Sequence, residues 1–545
     1  MRADYPVKKC DVLIIGGGGA GGLAAVEAAK SGGLKIVLAS KGPIGQSGLT
    51  PTANGGTAFH GSPQDTFRDM ITGGRYLNDQ RIVWFMANEI YNAIEKIKDL
   101  DIAITRIRDI SVCVPSDVLM ERLRKAILQT PNIDLLEDVL VTRLIVTDGR
   151  ISGATALNTR TGEFSCITAK AVVLATGGLA GELWTHTSNN PFGITTDSSG
   201  AGHGMAHLAG AELIDMEMVQ FVPLPANPQC LHLRYFPDFW TGPYLNRKGE
   251  NIDPNLDSHK GRSYSHQFIQ NLCREIETGN GPVYVDKRDS APFVPTVKIK
   301  SWGRRRKLIK KLNIDPHENK IEIIIGAHFG MGGVRANEKT ETSLAGLFAA
   351  GEMMGGVHGG LRMPGFSFSQ MIVFGLEAGK QAALYAAGQQ DDPIADDSLV
   401  EIEKQNVFQY LQAKEKPVTL VELKKQLNRI MDDAVFVFRD KAGLEHACGA
   451  IGEIKKKVSR LSVPGFKRFN LDWSRAIEFS LMVAVAESIA HSALVREESR
   501  GFHYRRDFPD EDNANWLRHT IARHDAGQLK IETCPVELDR LAPED

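Results

Sequence analysis

The sequence predicts an α/β protein in three parts: a Rossmann-like dinucleotide-binding domain, an α+β insertion that interrupts it, and a helical C-terminal domain. Three observations predict this. Gly16-x-Gly18-x-x-Gly21 stands between an apolar run and an Ala-rich stretch at the amino end. Over 226–325 aromatic, proline and charged residues mix, and the glycine-rich pattern resumes from Gly326. From about 396 onward apolar residues recur at helical spacing. A chain of 545 residues has room for about three domains.

Cys10 to Ile15 is a short, mostly apolar run and reads as a buried strand. The glycine turn follows, then a helix from about Gly22 to Ser31 and a second strand from Leu34 to Ser40, which completes a βαβ unit. Ile133 to Gly178 alternates β-branched runs with turns such as Asp148-Gly149. It ends in a second buried strand, Ala171 to Thr176. The first domain is therefore expected over 1–225 and 326–395, the insertion over 226–325 with a basic stretch from Arg304 to Lys311, and the last domain over 396–545. Leu420 to Val437 and Trp473 to Val495 read as amphipathic helices, followed by a polar, loop-rich tail.

Composition excludes several classes. With 42% hydrophobic and 24% charged residues the chain is not disordered. A net charge of −2 gives no support for a nucleic-acid binder or for a strong binder of anionic membranes. No apolar run of transmembrane length is present, so no membrane span is expected. The polar opening Met1 to Cys10 predicts no signal peptide, and no twin-Arg leader occurs. The seven cysteines, at 10, 113, 166, 230, 273, 448 and 534, form no C-x-x-C pair. A sequence-local iron–sulfur or zinc site is therefore not expected, and reduced thiols of a cytoplasmic protein are.

The glycines allow a tight turn and let a pyrophosphate approach a helix N-terminus. The acidic residue expected at the end of the second strand is missing; the strand ends Ala39-Ser40-Lys41, which argues against a simple NAD site. A second glycine turn, Ala175-Thr176-Gly177-Gly178, follows a buried strand far along the chain. Two such turns suggest one FAD spanning the fold.

These features together resemble the flavoprotein subunit of the succinate dehydrogenase / fumarate reductase family, which includes L-aspartate oxidase. The resemblance rests on Ser40-Lys41, on Gly55–Gly56, on Gly351-Glu352 after Leu347-Phe348-Ala349-Ala350, and on the ordered series Glu498-Ser499-Arg500-Gly501-x-His503, Arg506-Asp507-x-Pro509 and Asn515-Trp516-Leu517-x-His519-Thr520. It covers roughly residues 8 to 525. It implies that the insertion is a capping domain, and that FAD is bound by Gly16, Gly18, Gly21, Ser40, Lys41, Ser47, Gly48, Thr50, Gly55, Gly56, Val141, Ala175, Thr176, Gly177, Glu352, His358 and Ser367. Membrane-bound members of the family attach FAD through a histidine ahead of the Gly-Gly pair. Ser47 to Asn54 contains none, and His60 lies beyond the pair, so noncovalent FAD is expected.

Three basic residues match the family's catalytic set: His328 in Ala327-His328-Phe329-Gly330-Met331-Gly332-Gly333, Arg362 in His358-Gly359-Gly360-Leu361-Arg362-Met363, and Arg262 in Gly261-Arg262-Ser263. Reducing an alkene conjugated to a carbonyl needs a hydride at one carbon and a proton at the next. Cationic donors on the carboxylate stabilise the enolate-like charge that develops, and arginine grips a carboxylate with a planar fork. The resemblance gives Arg262 the proton transfer. Three departures bear on the substrate. Gln220-Phe221-Val222-Pro223 has Val222 where the family has a histidine, Arg234 and Tyr235 fall on its Thr-Glu pair, and Asp238 falls on the Arg of its proton path. Plain succinate or fumarate is therefore not expected; a bulkier or activated acid, or a thioester, is.

The resemblance also implies an iron–sulfur partner, met through a tail (Ser499 to Thr520) dense in charge, and membrane association only through that partner. Three alternatives remain at this point: a self-sufficient oxidase like aspartate oxidase; an adenylylsulfate-reductase-like flavoprotein, suggested by Phe221-Val222-Pro223 and Gly279-x-Gly281-Pro282-Val283-Tyr284-Val285-Asp286; and a non-catalytic flavin scaffold.

Overall fold

The computed structural model describes residues 5–108, 111–188, 198–227, 242–253, 265–289, 317–525 and 527–543, with isolated positions between 307 and 315. Its centre is the expected βαβ unit. Strand β1 (Val7–Ile15) leads through the glycine turn into helix α1 (Gly19–Ala29) and on to strand β2 (Ile36–Ala39). β1 lies parallel to β2 on one side and to the strand Phe164–Leu174 on the other, so that Ile15 is level with both Ala39 and Leu174. β2 in turn pairs with Ile133–Leu136, and Leu347–Ala349 adds to Phe164–Leu174. Val12, Leu13, Ile14, Val37 and Leu38 are wholly buried, which is why these strands read as continuous apolar runs. An antiparallel meander, Val139–Thr147 and Arg150–Asn158, completes the sheet. The long helix Phe366–Ala387 packs on α1, where Gly375 and Gly379 leave room for the backbone at Ala20 and Ala24.

A second, antiparallel sheet runs Val219–Pro225, Ile321–Gly330, Val283–Val285, Tyr244–Leu245, and carries the helix His266–Glu277. The strand Ile321–Gly330 is shared: Ile321 to Ile323 pair with Val283–Val285, and its other end, from Gly326 to Gly330, pairs with Val219 to Val222 and carries His328. Three helices, Leu420–Ala434, Lys441–Val458 and Leu471–Val495, form the C-terminal bundle. The last is long and apolar enough to cross a membrane by length and composition alone (mean hydropathy 1.4). In this fold 78% of that apolar stretch is buried, as the central helix of the bundle.

The tail departs from expectation. In place of loops, Arg518–Asp525 and Gln528–Pro535 form a hairpin that pairs with Leu213–Ile214 in the first domain. Much of its charge is turned inward: Arg496, Arg500 and Arg505 have almost no exposed surface. Arg496 reaches Glu217 at 2.6 Å and Glu498 at 2.8 Å, Arg500 reaches Glu498 at 2.8 Å, and His519 meets Asp215 at 2.7 Å. Charged residues read as surface because burial costs several kcal/mol per ion unless it is paired and hydrogen-bonded; here each is, and the cluster clasps the C-terminal domain to the first.

Candidate active site

One cavity of about 510 Å³ runs along the carboxyl ends of β1, β2 and Phe164–Leu174. Each glycine of the fingerprint has a distinct job. Gly16 adopts φ +113°, and a Cβ there would lie 2.3 Å from the Ala175 carbonyl oxygen. A Cβ on Gly21 would lie 1.8 Å from the Gly16 oxygen, so helix and strand close only on glycine. Gly18 faces the cavity; its Cβ would meet only Thr50 Oγ1, at 3.9 Å. It caps α1 with no side-chain hydrogen bond, Gly17 to Ala20 line the cavity, and Gly19 N–H donates to Thr50 Oγ1 at 3.1 Å. An uncapped helix N-terminus beside an open glycine is a pyrophosphate seat.

Most of the cofactor positions expected from the sequence lie on this one wall: Gly16, Gly18, Ser40, Lys41, Ser47, Gly48, Thr50, Gly55, Gly56, Val141, Ala175, Thr176, Gly177, Glu352 and Ser367. Gly21 and His358 do not. Gly21 acts through packing. His358 is buried behind the wall: its Nε2 is 2.8 Å from Gln370 Oε1, its ring is edge-on to Phe329, and burial beside Arg362 pushes its pKa down to about 3. Glu352 accepts from Gly330 N–H at 3.2 Å and is crowded against Gly178. Burial pushes its carboxyl up to about 7. His60 is off the wall and bound to Asp69 at 2.6 Å. Among the described residues the wall carries one histidine, His328, and no cysteine.

His328 and Arg362 meet at one end of this cavity. Arg362 is 5% exposed and its planar group is fixed on three sides. Nε donates to Gln220 Oε1 at 2.8 Å, Nη1 donates to Ser367 Oγ at 2.9 Å, and Nη2 donates to His328 Nε2 at 3.0 Å. The guanidinium also stacks 4.9 Å from the Phe329 ring centre. Because arginine can only donate, His328 Nε2 accepts, so Nδ1 carries the hydrogen and donates to Ser188 Oγ at 2.6 Å. His328 is thereby joined through one ring nitrogen to Ser188 and through the other to Arg362.

Sequence reasoning missed Ser188, Gln220 and Phe329, which hold His328 and Arg362, and Glu478, which lies on the cavity wall 2.7 Å from Lys41. Gln220 opens the Gln-Phe-Val-Pro motif and Phe329 follows His328, yet neither pattern assigns them a contact; Ser188 and Glu478 carry no local signal. Val222 is wholly buried, pairs with Gly326 and is not on the cavity wall formed by the described residues. Arg262, Arg234, Tyr235 and Asp238 lie outside the described residues.

The donor set and the cradle fit FAD, and comparisons with known proteins agree. The model of the FAD binding domain matches residues 11–113 and 107–368, and that of the fumarate reductase flavoprotein C-terminus matches 424–545. The chain is 31% identical to one of the subunits of the fumarate reductase (CoM/CoB) of Methanothermobacter marburgensis, over 94% of this chain and 97% of that one. It is 31% identical to an uncharacterised FAD-dependent oxidoreductase of Methanocaldococcus jannaschii, over 94% and 96%. Among solved structures, an Escherichia coli quinol fumarate reductase flavoprotein variant superposes with a TM-score of 0.86 at 26% identity, covering 99% of both chains. The adenylylsulfate reductase of Archaeoglobus fulgidus shares the fold, with a TM-score of 0.82 at 21% identity. The chain belongs to the fumarate reductase / succinate dehydrogenase flavoprotein family and is an FAD-dependent oxidoreductase.

Proposed function

We propose that the protein moves a hydride between FAD and a carboxylic-acid or acyl substrate, at a carbon–carbon bond conjugated to the carboxyl group. One observation carries this reading: Arg362, buried and held on three sides, stands in the same cavity as the cofactor cradle. Bound FAD supplies the two-electron chemistry. Arg362 binds the substrate carboxylate and stabilises the negative charge that builds on it as the β-carbon gains hydride. Gln220, Ser367 and His328 keep the guanidinium in place, so little reorganisation accompanies the reaction. His328, with its hydrogen on Nδ1 and given to Ser188, stays neutral. The α-carbon gains a proton, which completes the saturated acid. Arg262 is proposed for that transfer on the family resemblance, with the capping domain closing to bring it in and exclude water.

The natural substrate is proposed to be a substituted or activated acid. Relatives are named fumarate reductases. In this chain Arg234 and Tyr235 stand where the family resemblance places a Thr-Glu pair, and that change is expected to weaken the hold on a second carboxylate. An iron–sulfur partner is proposed because the relatives are named as subunits; through it the protein would be peripheral on a membrane.

The test is anaerobic titration of FAD-reconstituted protein with saturated and unsaturated acids and thioesters. At least one should perturb the flavin absorption, and Arg362→Lys should remove the perturbation. A flavin spectrum indifferent to every acid would sink the reading.

A further inference from the structure

The ribose of a dinucleotide meets the end of the second strand of a βαβ unit, where an acidic side chain usually accepts from its hydroxyls. Here β2 ends in Ser40-Lys41, and no carboxylate is supplied locally. The fold supplies one from elsewhere. Glu478, in the bundle helix Leu471–Val495, stands 437 residues further along the chain and 2.7 Å from Lys41 Nζ. It is 5% exposed, also accepts from Ser199 Oγ at 3.3 Å, and lies on the wall of the cofactor cavity with Lys41, Ser199 and Val139 to Val141. Both contacts use Oε1, which leaves Oε2 as the oxygen available to a ligand in the cavity.

We propose that Glu478 is the carboxylate that accepts from the ribose hydroxyls of the adenosine half of FAD, so that the C-terminal bundle is part of the cofactor site. A lysine alone at the end of β2 would attract a ribose phosphate; paired with Glu478 its charge is offset, and an uncharged ribose is favoured. Burial pushes the Glu478 carboxyl up, and the Lys41 charge opposes that shift. The substitution Glu478→Gln removes the carboxylate while keeping an oxygen that can accept from Lys41 and Ser199.

The experiment measures binding to flavin-free protein by fluorescence titration, with FAD, FMN and ADP as probes. Glu478→Gln should weaken FAD and ADP by about 10-fold, the difference between a charge-assisted and a neutral hydrogen bond, and leave FMN, which lacks adenosine, within about twofold. Equal weakening of FAD and FMN would show that Glu478 only holds the domains together, and unchanged FAD would overturn the proposal outright. A second measurement needs no variant. On the unaltered flavin-free protein, 2′,3′-dideoxy-ADP should compete with FAD about 10-fold less well than ADP; equal competition, or none by ADP, would also overturn it.

Discussion

Glu352→Gln separates the demands of folding from those of cofactor binding. The Glu352 carboxyl sits between the Gly330 amide and Gly178, and burial raises its pKa from 4.5 to about 7. Between those values the native state binds more protons than the unfolded chain, so stability falls as pH rises. The full cost is reached above about pH 7 and vanishes below 4.5. A shift of that size corresponds to about 3 kcal/mol, and about 1–3 kcal/mol once solvent in the open cavity is allowed for. Gln keeps an oxygen for Gly330 and cannot ionise. Urea unfolding of flavin-free protein should therefore show the variant more stable than the parent by about 1–3 kcal/mol at about pH 8, with the gap closing by about pH 5. The variant should also hold FAD less tightly, since a carboxylate on the wall is a stronger acceptor than an amide. A variant less stable at the higher pH, or a gap independent of pH, would refute the reasoning.

Other outcomes follow from the same geometry. Acid precipitation should release all flavin into the supernatant, because the only histidine on the described wall is held between Ser188 and Arg362; a yellow pellet would contradict this. Arg362→Lys should cost about 2–4 kcal/mol in kcat/KM, roughly 30- to 1000-fold, because an ammonium cannot satisfy Gln220, Ser367 and His328 together; steady-state rates check it. Gly501→Ala, at φ +57°, places a Cβ 1.9 Å from the oxygen of Gly360, in the segment that leads to Arg362. It should lower stability by about 1–3 kcal/mol in denaturant unfolding. Succinate and fumarate should turn over far below the roughly 10 per second of an ordinary enzyme.

Local patterns carried much of this fold in the sequence. Gly16, Gly18 and Gly21 predict the βαβ unit because each constraint acts close by: the turn at Gly16 and the contact of Gly21 with the Gly16 oxygen are both local. The segment around Arg362 was legible as a motif, but its geometry was not. Its partners Gln220 and His328 are 142 and 34 residues away, and no spacing rule joins them. Glu478 was hidden for the same reason, as a polar residue in an apolar helix. The tail misled because Arg496, Arg500 and Arg505 carry the composition of a surface, and only pairing with Glu217, Glu498 and Asp507 lets them be buried. Val222 was legible only as a departure from a motif; its place, paired with Gly326 and buried off the described cavity wall, was not.

The central claim is that Arg362 seats a carboxylate where the adjoining carbon–carbon bond can exchange hydride with FAD. Anaerobic stopped-flow mixing of dye-reduced holoenzyme with α,β-unsaturated acids and thioesters tests it directly, with the products identified by mass. At least one compound should reoxidise the flavin and appear as its saturated form with two hydrogens added, and Arg362→Lys should slow that step by at least about 30-fold. Reoxidation by none of them, or at the same rate in parent and variant, would contradict the account.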